Sequence, residues 1–261
     1  MLRPRIIPCL LVKGGGLVKT VNFRSPKYVG DPINAVRIFN EKEVDELTVL
    51  DIDASVEKRE PNYELIKHLA AECRMPLCYG GGVTSVEQFQ RLVSLGVEKV
   101  AISAAAIDNP KLVSEAAAKV GGQSVVVVMD VKKGSRDNYT LWTHNGSKET
   151  DQHPIEFARR MEELGVGEIV VNSIDRDGVM KGYDYELAAR VREVTSVPLT
   201  ILGGAGSLND IAELVKQFGV IGVAAGSLFV FKGIYRAVLI NYPGRSQKDE
   251  IAANAQVAGR V

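Results

Sequence analysis

The segment 198-PLTILGGAG-206, followed by an amphipathic run and then 220-VIGVAAGSLFVF-231, decides the fold. It reads as strand, glycine turn, helix, strand, glycine turn, with Gly203, Gly204 and Gly206 closing one strand and Gly226-Ser227 closing the next. Such turns leave backbone N–H groups unshielded by a Cβ, and a following helix N-terminus adds partial positive charge. The combination predicts a phosphate site.

The chain contains this pattern twice. Residues 76–107 read PLCYGGG, an amphipathic run, then VEKVAISAAAI, so Gly81-Gly82 correspond to Gly203-Gly204. VLDID, with Asp51 and Asp53, corresponds at the same spacing to VNSID, with Ser173 and Asp175. Two similar halves are implied.

Composition sets bounds on function. In 261 residues, 46% are hydrophobic and 25% charged, ordinary values for a globular chain. Lysine plus arginine equals aspartate plus glutamate at 32 each, so no overall basic field invites nucleic acid or an anionic membrane, and any phosphate is bound locally. Cys9, Cys73 and Cys78 have neither metal-ligand nor disulfide-framework spacing. The histidines 68, 144 and 153 have no metal spacing, and Trp142 and the tyrosines form no base-stacking pattern. No metal and no cofactor are expected. The apolar run in MLRPRIIPCLLV is short for a signal sequence and no segment reads as a membrane span, so the expectation is a cytoplasmic protein.

Strand-like runs are expected near 5–12, 46–51, 77–80, 99–103, 125–131, 168–173, 199–202 and 220–225. Between them, Asp31-Pro32, Asn109-Pro110, His153-Pro154, Ser85, Asp184 and Ser207 give helix start signals. Eight alternations in two equal halves predict a (βα)8 TIM barrel of two (βα)4 halves, residues 1–122 and 123–243, followed by a frayed extension over 244–261. Function then lies at the C-terminal ends of the strands. Two connections exceed what a barrel needs, 13–28 and 132–153, and the first reads as a mobile hairpin carrying Lys19 towards an anionic substrate.

The chemistry-bearing residues follow from this placement. Asp177-Gly178, Gly203-Gly204 and Gly226-Ser227 end three consecutive strands and form the stronger phosphate site, while Gly81-Gly82 with Ser103 form a weaker one in the first half. Asp130 ends the apolar strand VVVVMD, where burial raises a carboxylate's pKa and suits it to proton transfer. Aligning IIPCLLVK with VVVVMDVK places Leu11 opposite Asp130, where a two-carboxylate site needs an aspartate. At the other end, strand parity turns Arg5 inward with Leu11, Lys99 with Ser103 and Glu168 with Asn172, and Glu46 begins the second strand similarly. Two cations and two anions would form a ring at the barrel bottom, readable as a gate or as a structural salt-bridge layer.

The motifs RIIPCL, GDP at 30–32, ELTVLDID, GGGVTSVE, KVAIS, THNG, SIDRDG with KGYD, and GGAG, in this order, resemble the cyclase subunit of imidazole glycerol phosphate synthase over essentially the whole barrel. The resemblance implies a glutaminase partner docked at the N-terminal face and ammonia passing up the interior to a substrate with a phosphate at each end. It assigns Arg5, Glu46, Lys99 and Glu168 to the ammonia gate, Asp130 and Lys19 to catalysis, and the second-half turns to phosphate. The departures are Leu11, where the family has an aspartate; Ser103-Ala104, where it has asparagine and threonine; and Asn172, where it has threonine. A divergent branch of the family, encoded with surface-polysaccharide genes, also resembles this chain, including CLLVKGGGLVKTVNF and GSLFVFKG followed by RAVLINYP. That branch implies a phosphorylated or nucleotide-sugar substrate, a third amidating protein, and an acetamidino group formed for O-antigen. Three functions are thus in play: ammonia delivery for sugar amidination, cyclisation in histidine biosynthesis, and a non-catalytic barrel that activates a glutaminase.

Overall fold

A computed structural model of the chain describes residues 3–135 and 138–258. The apolar runs become eight parallel strands: β1 (Arg5–Lys13), β2 (Leu47–Asp51), β3 (Leu77–Gly80), β4 (Lys99–Ile102), β5 (Val125–Lys133), β6 (Glu168–Ser173), β7 (Leu199–Leu202) and β8 (Gly222–Ala225). Each pairs with its neighbours in sequence, and β8 pairs with β1 from Arg5↔Gly222 to Pro8↔Ala225, so the sheet closes on itself. The helices α1 (Pro32–Glu41), α2 (Tyr63–Glu72), α3 (Val86–Ser94), α4 (Lys111–Val120), α5 (Pro154–Glu163), α6 (Tyr185–Arg192), α7 (Leu208–Phe218) and α8 (Arg245–Ala258) complete a (βα)8 barrel. None of the helices described is long and apolar enough to cross a membrane.

Local chemistry explains where the helices start. Asp31 accepts from the Asn34 N–H with Pro32 in the first turn, and His153 accepts from Ile155 in front of Pro154. Ser85 and Ser207 form reciprocal capping boxes with Gln88 and Asp210. Asn109-Pro110 behaves differently: α4 starts at Lys111, Pro110 itself takes the cap position and no side chain caps the turn. Single-turn helices, Ala104–Asp108 and Ser227–Val230, follow β4 and β8 at matching places in the two halves.

Two apolar layers hold the barrel. The outer one lies between strands and helices, with Val36, Phe39, Leu69, Phe89, Val100 and Ile211 removed from water, each burial worth about 1.5–3 kcal/mol. The inner one fills the barrel with Ile7, Cys9, Cys78, Ala101, Val126, Val128, Leu202 and Ala224. Strand parity decides membership: alternate residues point in. Ile7 and Cys9 therefore face the interior while Ile6 and Leu10 face the helices.

Both halves extend their first strand with an antiparallel hairpin at the C-terminal end. Gly16–Val21 pairs with β1, with Leu11 opposite Val18, and Tyr139–Thr143 pairs with β5, with Asp130 opposite Trp142. The stretch from Gly244, expected to fray, instead forms α8 through Ala258. Ile251 buries against the core, and Lys248 and Asp249 are tied to Asp45 and Arg3 at 2.9 and 2.7 Å. Its polar, alanine-rich sequence has little amphipathic signal, and packing on the barrel supplies what periodicity does not show. Residues 259–261 of that stretch lie outside the described residues.

Candidate active site

At the C-terminal ends of the strands lies a cavity of about 500 Å³ lined by both halves. It brings together Asp130, Lys19, Gly81, Gly82, Ser103, Asp177, Gly178, Gly203, Gly204, Gly226 and Ser227. Its volume suits a ligand of nucleotide or sugar-phosphate size.

Asp130 projects from β5 into the floor of this cavity. Its Oδ1 accepts from Asn172 Nδ2 at 2.9 Å and its Oδ2 from Ser103 Oγ at 3.5 Å. Burial pushes its pKa up to about 7, with the nearby Asp177 charge adding to the rise and the two hydrogen bonds opposing it. A carboxyl so placed is divided between its two forms near neutrality and can take or give a proton. Leu11 lines the same cavity and offers no second ionisable group.

Lys19 departs from the expected mobile hairpin lysine. Its residue is only 5% exposed, and its ammonium donates to the Cys9 carbonyl oxygen. Burial lowers its pKa, partly opposed by the charge of Asp177. The hairpin that carries it is fastened across the mouth: Thr20 Oγ1 donates to Asp177 Oδ2 at 2.7 Å, and the Asn22 N–H donates to the Asp177 carbonyl at 2.9 Å. Gly226 makes room for the ammonium, because a Cβ there would lie 2.5 Å from Lys19 Nζ.

The glycine turns have a packing reason as well as a chemical one. Gly204, at φ +116°, passes so close to Gly182 that a Cβ would fall 2.1 Å from its carbonyl oxygen, and Gly82, at φ +75°, stands similarly against the Arg59 carbonyl. In the first half, Asp51 accepts from the Asp53 and Ala54 N–H groups at 3.2 Å and faces Arg59 at 3.4 Å. Lys58, Arg59, His144, Asn145 and Asn172 also line the mouth, and none of them was singled out from sequence as a binding group. Asn172 was legible by parity, since it faces inward with Glu168; Lys58 and Arg59 lie in an irregular loop whose approach to the cavity no periodicity encodes.

At the N-terminal end, Arg5, Glu46, Lys99 and Glu168 meet as the parity argument expects. Lys99 Nζ donates to Glu46 at 2.7 Å and to Glu168 at 2.8 Å; Arg5 donates to Glu168 at 2.8 and 3.2 Å and also to Glu46. Burial works against ionisation of Glu168, but the hydrogen bonds and charges of Arg5 and Lys99 prevail and hold it below the usual carboxylate range. Above the ring, a void of about 10 Å³ bounded by Ile7, Cys9, Cys78, Ala101, Val126 and Val128 leads inward from Glu46 and Glu168. That is about the room one water-sized molecule needs. Among the described residues no cluster of His, Cys, Asp or Glu is arranged to hold a metal ion.

A sequence model of the family described as "Histidine biosynthesis protein" matches residues 5–235. A protein of Leptospira interrogans, provisionally named imidazole glycerol phosphate synthase subunit HisF, is 56% identical over 252 residues, 96% of this chain and 99% of its own. One of Vibrio vulnificus strain YJ016, provisionally named subunit hisF3 of the same synthase, is 57% identical over 251 residues, 95% of this chain and 96% of its own. The imidazole glycerol phosphate synthase subunit HisF of Alkaliphilus metalliredigens, named without that qualification, is 38% identical over 234 residues, 90% of this chain and 93% of its own. With a closed two-half barrel, one cavity at the strand ends and these matches across nearly its full length, the chain belongs to the histidine biosynthesis protein family and, within it, to the HisF-like cyclase subunits of imidazole glycerol phosphate synthase.

Proposed function

We propose that the chain is the ammonia-accepting synthase subunit of a glutamine amidotransferase complex, repurposed for forming an acetamidino sugar in O-antigen biosynthesis. A glutaminase subunit docks on the N-terminal face, where Arg5, Glu46, Lys99 and Glu168 act as the gate. Neutral ammonia then moves through the apolar interior, which offers it no charge to bind. In the mouth, Gly203, Gly204, Gly226 and Ser227, with Asp177 and Gly178 beside them, hold one phosphate of the acceptor, and Gly81, Gly82 and Ser103 hold the other anionic group. Lys19 faces the anionic acceptor. A third, amidating protein activates the acetamido oxygen of the sugar by transferring a phosphoryl or nucleotidyl group to it from a nucleoside triphosphate. Ammonia then forms the new C–N bond, the activated oxygen leaves with that group, and Asp130 takes the proton that nitrogen sheds.

The observation that carries this reading is the pairing of a complete charged ring at one end with a mouth in which Asp130 faces Leu11. Ring closure and cleavage in the family use a second carboxylate there, and a leucine transfers no proton. The test uses purified chain, its glutaminase, the third protein, a nucleotide-linked acetamido sugar and a nucleoside triphosphate to activate it. Amidination driven by glutamine is expected to fall in Lys99→Met while amidination driven by ammonium chloride persists. No amidination from either nitrogen source overturns the proposal.

A second reading, cyclisation in histidine biosynthesis, is favoured by the position of Asp130 near neutral pKa and by the names of the relatives. Here Asp130 acts alone as acid and base. Turnover of the family's phosphoribulosyl-formimino ribotide with ammonium, abolished by Asp130→Asn, establishes it and removes the sugar reading. Restoration only in Leu11→Asp has the opposite meaning. Glutaminase activation that survives Asp130→Asn, with no turnover of either acceptor, leaves a non-catalytic barrel.

A further inference from the structure

The charged ring is not symmetric. Arg5 on β1, Gly222 on β8 and Thr200 on β7 stand side by side in strand register, and Glu168 begins the next strand, β6. Thr200 points into the barrel, is 2% exposed and donates its hydroxyl to Glu168 Oε1 at 2.5 Å. The same oxygen accepts from Arg5 Nη2 at 2.8 Å, while Oε2 accepts from Arg5 Nη1 at 3.2 Å and from Lys99 Nζ at 2.8 Å. Both oxygens of Glu168 are therefore occupied, one of them by a short neutral side chain with little freedom. Glu46, by contrast, accepts from Arg5 and Lys99 through Oε2 alone, and among the described residues no neutral side chain supports it.

Gly222 is what allows this arrangement. A Cβ at that position would fall 1.8 Å from Thr200 Oγ1, so any side chain there turns the hydroxyl away from Glu168. Arg5 also reaches Glu168 across the strands that carry Gly222 and Thr200, where the glycine leaves the way open.

We propose that Thr200, seated over Gly222, is a positioning residue that fixes Glu168 as the immobile side of the ring, so that the ring opens by release of Glu46. The opening rests on the ammonia-passage reading above; the fixing of Glu168 does not. Arg5 stays bonded to Glu168 through two nitrogens when Lys99 and Glu46 separate, so no buried guanidinium is stranded.

The experiment compares the full chain with Thr200→Val, Thr200→Ser and Gly222→Ala in two ways. Glutamate labelled at the carboxyl carbon gives the titration midpoint of Glu168 by NMR, and the complex with the glutaminase gives the ratio of glutamine-driven to ammonium-driven turnover on the acceptor found in the assays above. Losing a donor disfavours the carboxylate, so Thr200→Val and Gly222→Ala should raise the Glu168 midpoint by about one unit and lower the ratio about fivefold. Thr200→Ser, which keeps the hydroxyl, should match the wild type in both. A wild-type midpoint in Thr200→Val overturns the proposal whatever the ratio does. A shifted midpoint with an unchanged ratio overturns the link to opening when Lys99→Met still uncouples the two nitrogen sources; when Lys99→Met also leaves the ratio unchanged, the ammonia-passage reading fails and the fixing of Glu168 stands on its titration.

Discussion

At the N-terminal end of the barrel two buried carboxylates meet two cations, whereas at the C-terminal end a half-buried carboxylate, Asp130, meets an amide and a hydroxyl and shares its cavity with a leucine. Burial penalises the charged form at both ends. At the bottom, Arg5 and Lys99 outweigh it and Glu168 stays ionised. At the mouth, among the described residues, no cation is bonded to Asp130, the buried ammonium of Lys19 being turned to the Cys9 carbonyl, and desolvation wins. The difference teaches that one fold makes a fixed charge or an exchangeable proton according to whether charged donors reach the buried carboxyl. The bottom suits a closure that holds its ionisation state, and the mouth suits chemistry.

The sharpest way to break this comparison is to neutralise the mouth. Asp130→Asn keeps the size of the side chain and removes its proton exchange, so turnover with ammonium should fall by about 10²–10⁴-fold. Steady-state rates on the accepted substrate measure this, and a rate within threefold of wild type shows that Asp130 only supports Asn172 and Ser103.

Breaking the other end should cost stability. Glu168→Ala leaves Arg5 and Lys99 sharing the one remaining carboxylate, Glu46, in a partly buried ring and should destabilise the fold by about 3 kcal/mol, read from urea unfolding. A loss under 1 kcal/mol would mean that water reaches the ring.

The pH dependence sharpens the contrast. The folded-state pKa of Asp130 is raised, so between the ordinary carboxylate range and about pH 7 the folded chain binds a proton that the unfolded chain has lost. Stability from this group is present at low pH and is lost as pH rises through about 7. Asp130→Asn should therefore gain on wild type between pH 5 and 8, by on the order of 3 kcal/mol in paired urea titrations. A difference that is flat with pH would contradict the desolvated carboxyl.

The smallest effect concerns Lys19. Gly226→Ala introduces a Cβ where the ammonium sits, and the flexible end of the lysine moves rather than the backbone. An increase in KM of about fivefold with kcat less affected is expected. An unchanged KM would separate Lys19 from substrate binding.

Much of this was legible from residues. The two PL-strand-GG units gave the repeat, and the boundaries of β3, β6 and β7 coincide with the apolar runs. Arg5, Lys99 and Glu168 were placed in one ring by parity, because a strand has a period of two and a closed barrel has only one inside. What stayed hidden depended on contacts between distant segments. Thr200 looks like an ordinary strand threonine until β6 is laid beside β7, and Gly222 looks like one more small strand residue until Thr200 needs its space. Lys19 read as a lysine that a mobile hairpin carries towards an anionic substrate, and only the meeting of the hairpin with Asp177 and Gly226 shows it buried.

By itself, the sequence determined the eight-fold alternation, the two halves, the end of the barrel where the cavity opens and the leucine aligned with Asp130. Each of these is a local property, set by hydrophobic period, turn glycines and residue identity. The tertiary structure alone decided that α8 docks, that Thr200 braces Glu168, and that Asp130 and Glu168 shift in opposite directions. Charge state and bracing depend on what lies within a few ångströms in space, and closure of the barrel chooses those neighbours from all eight strands.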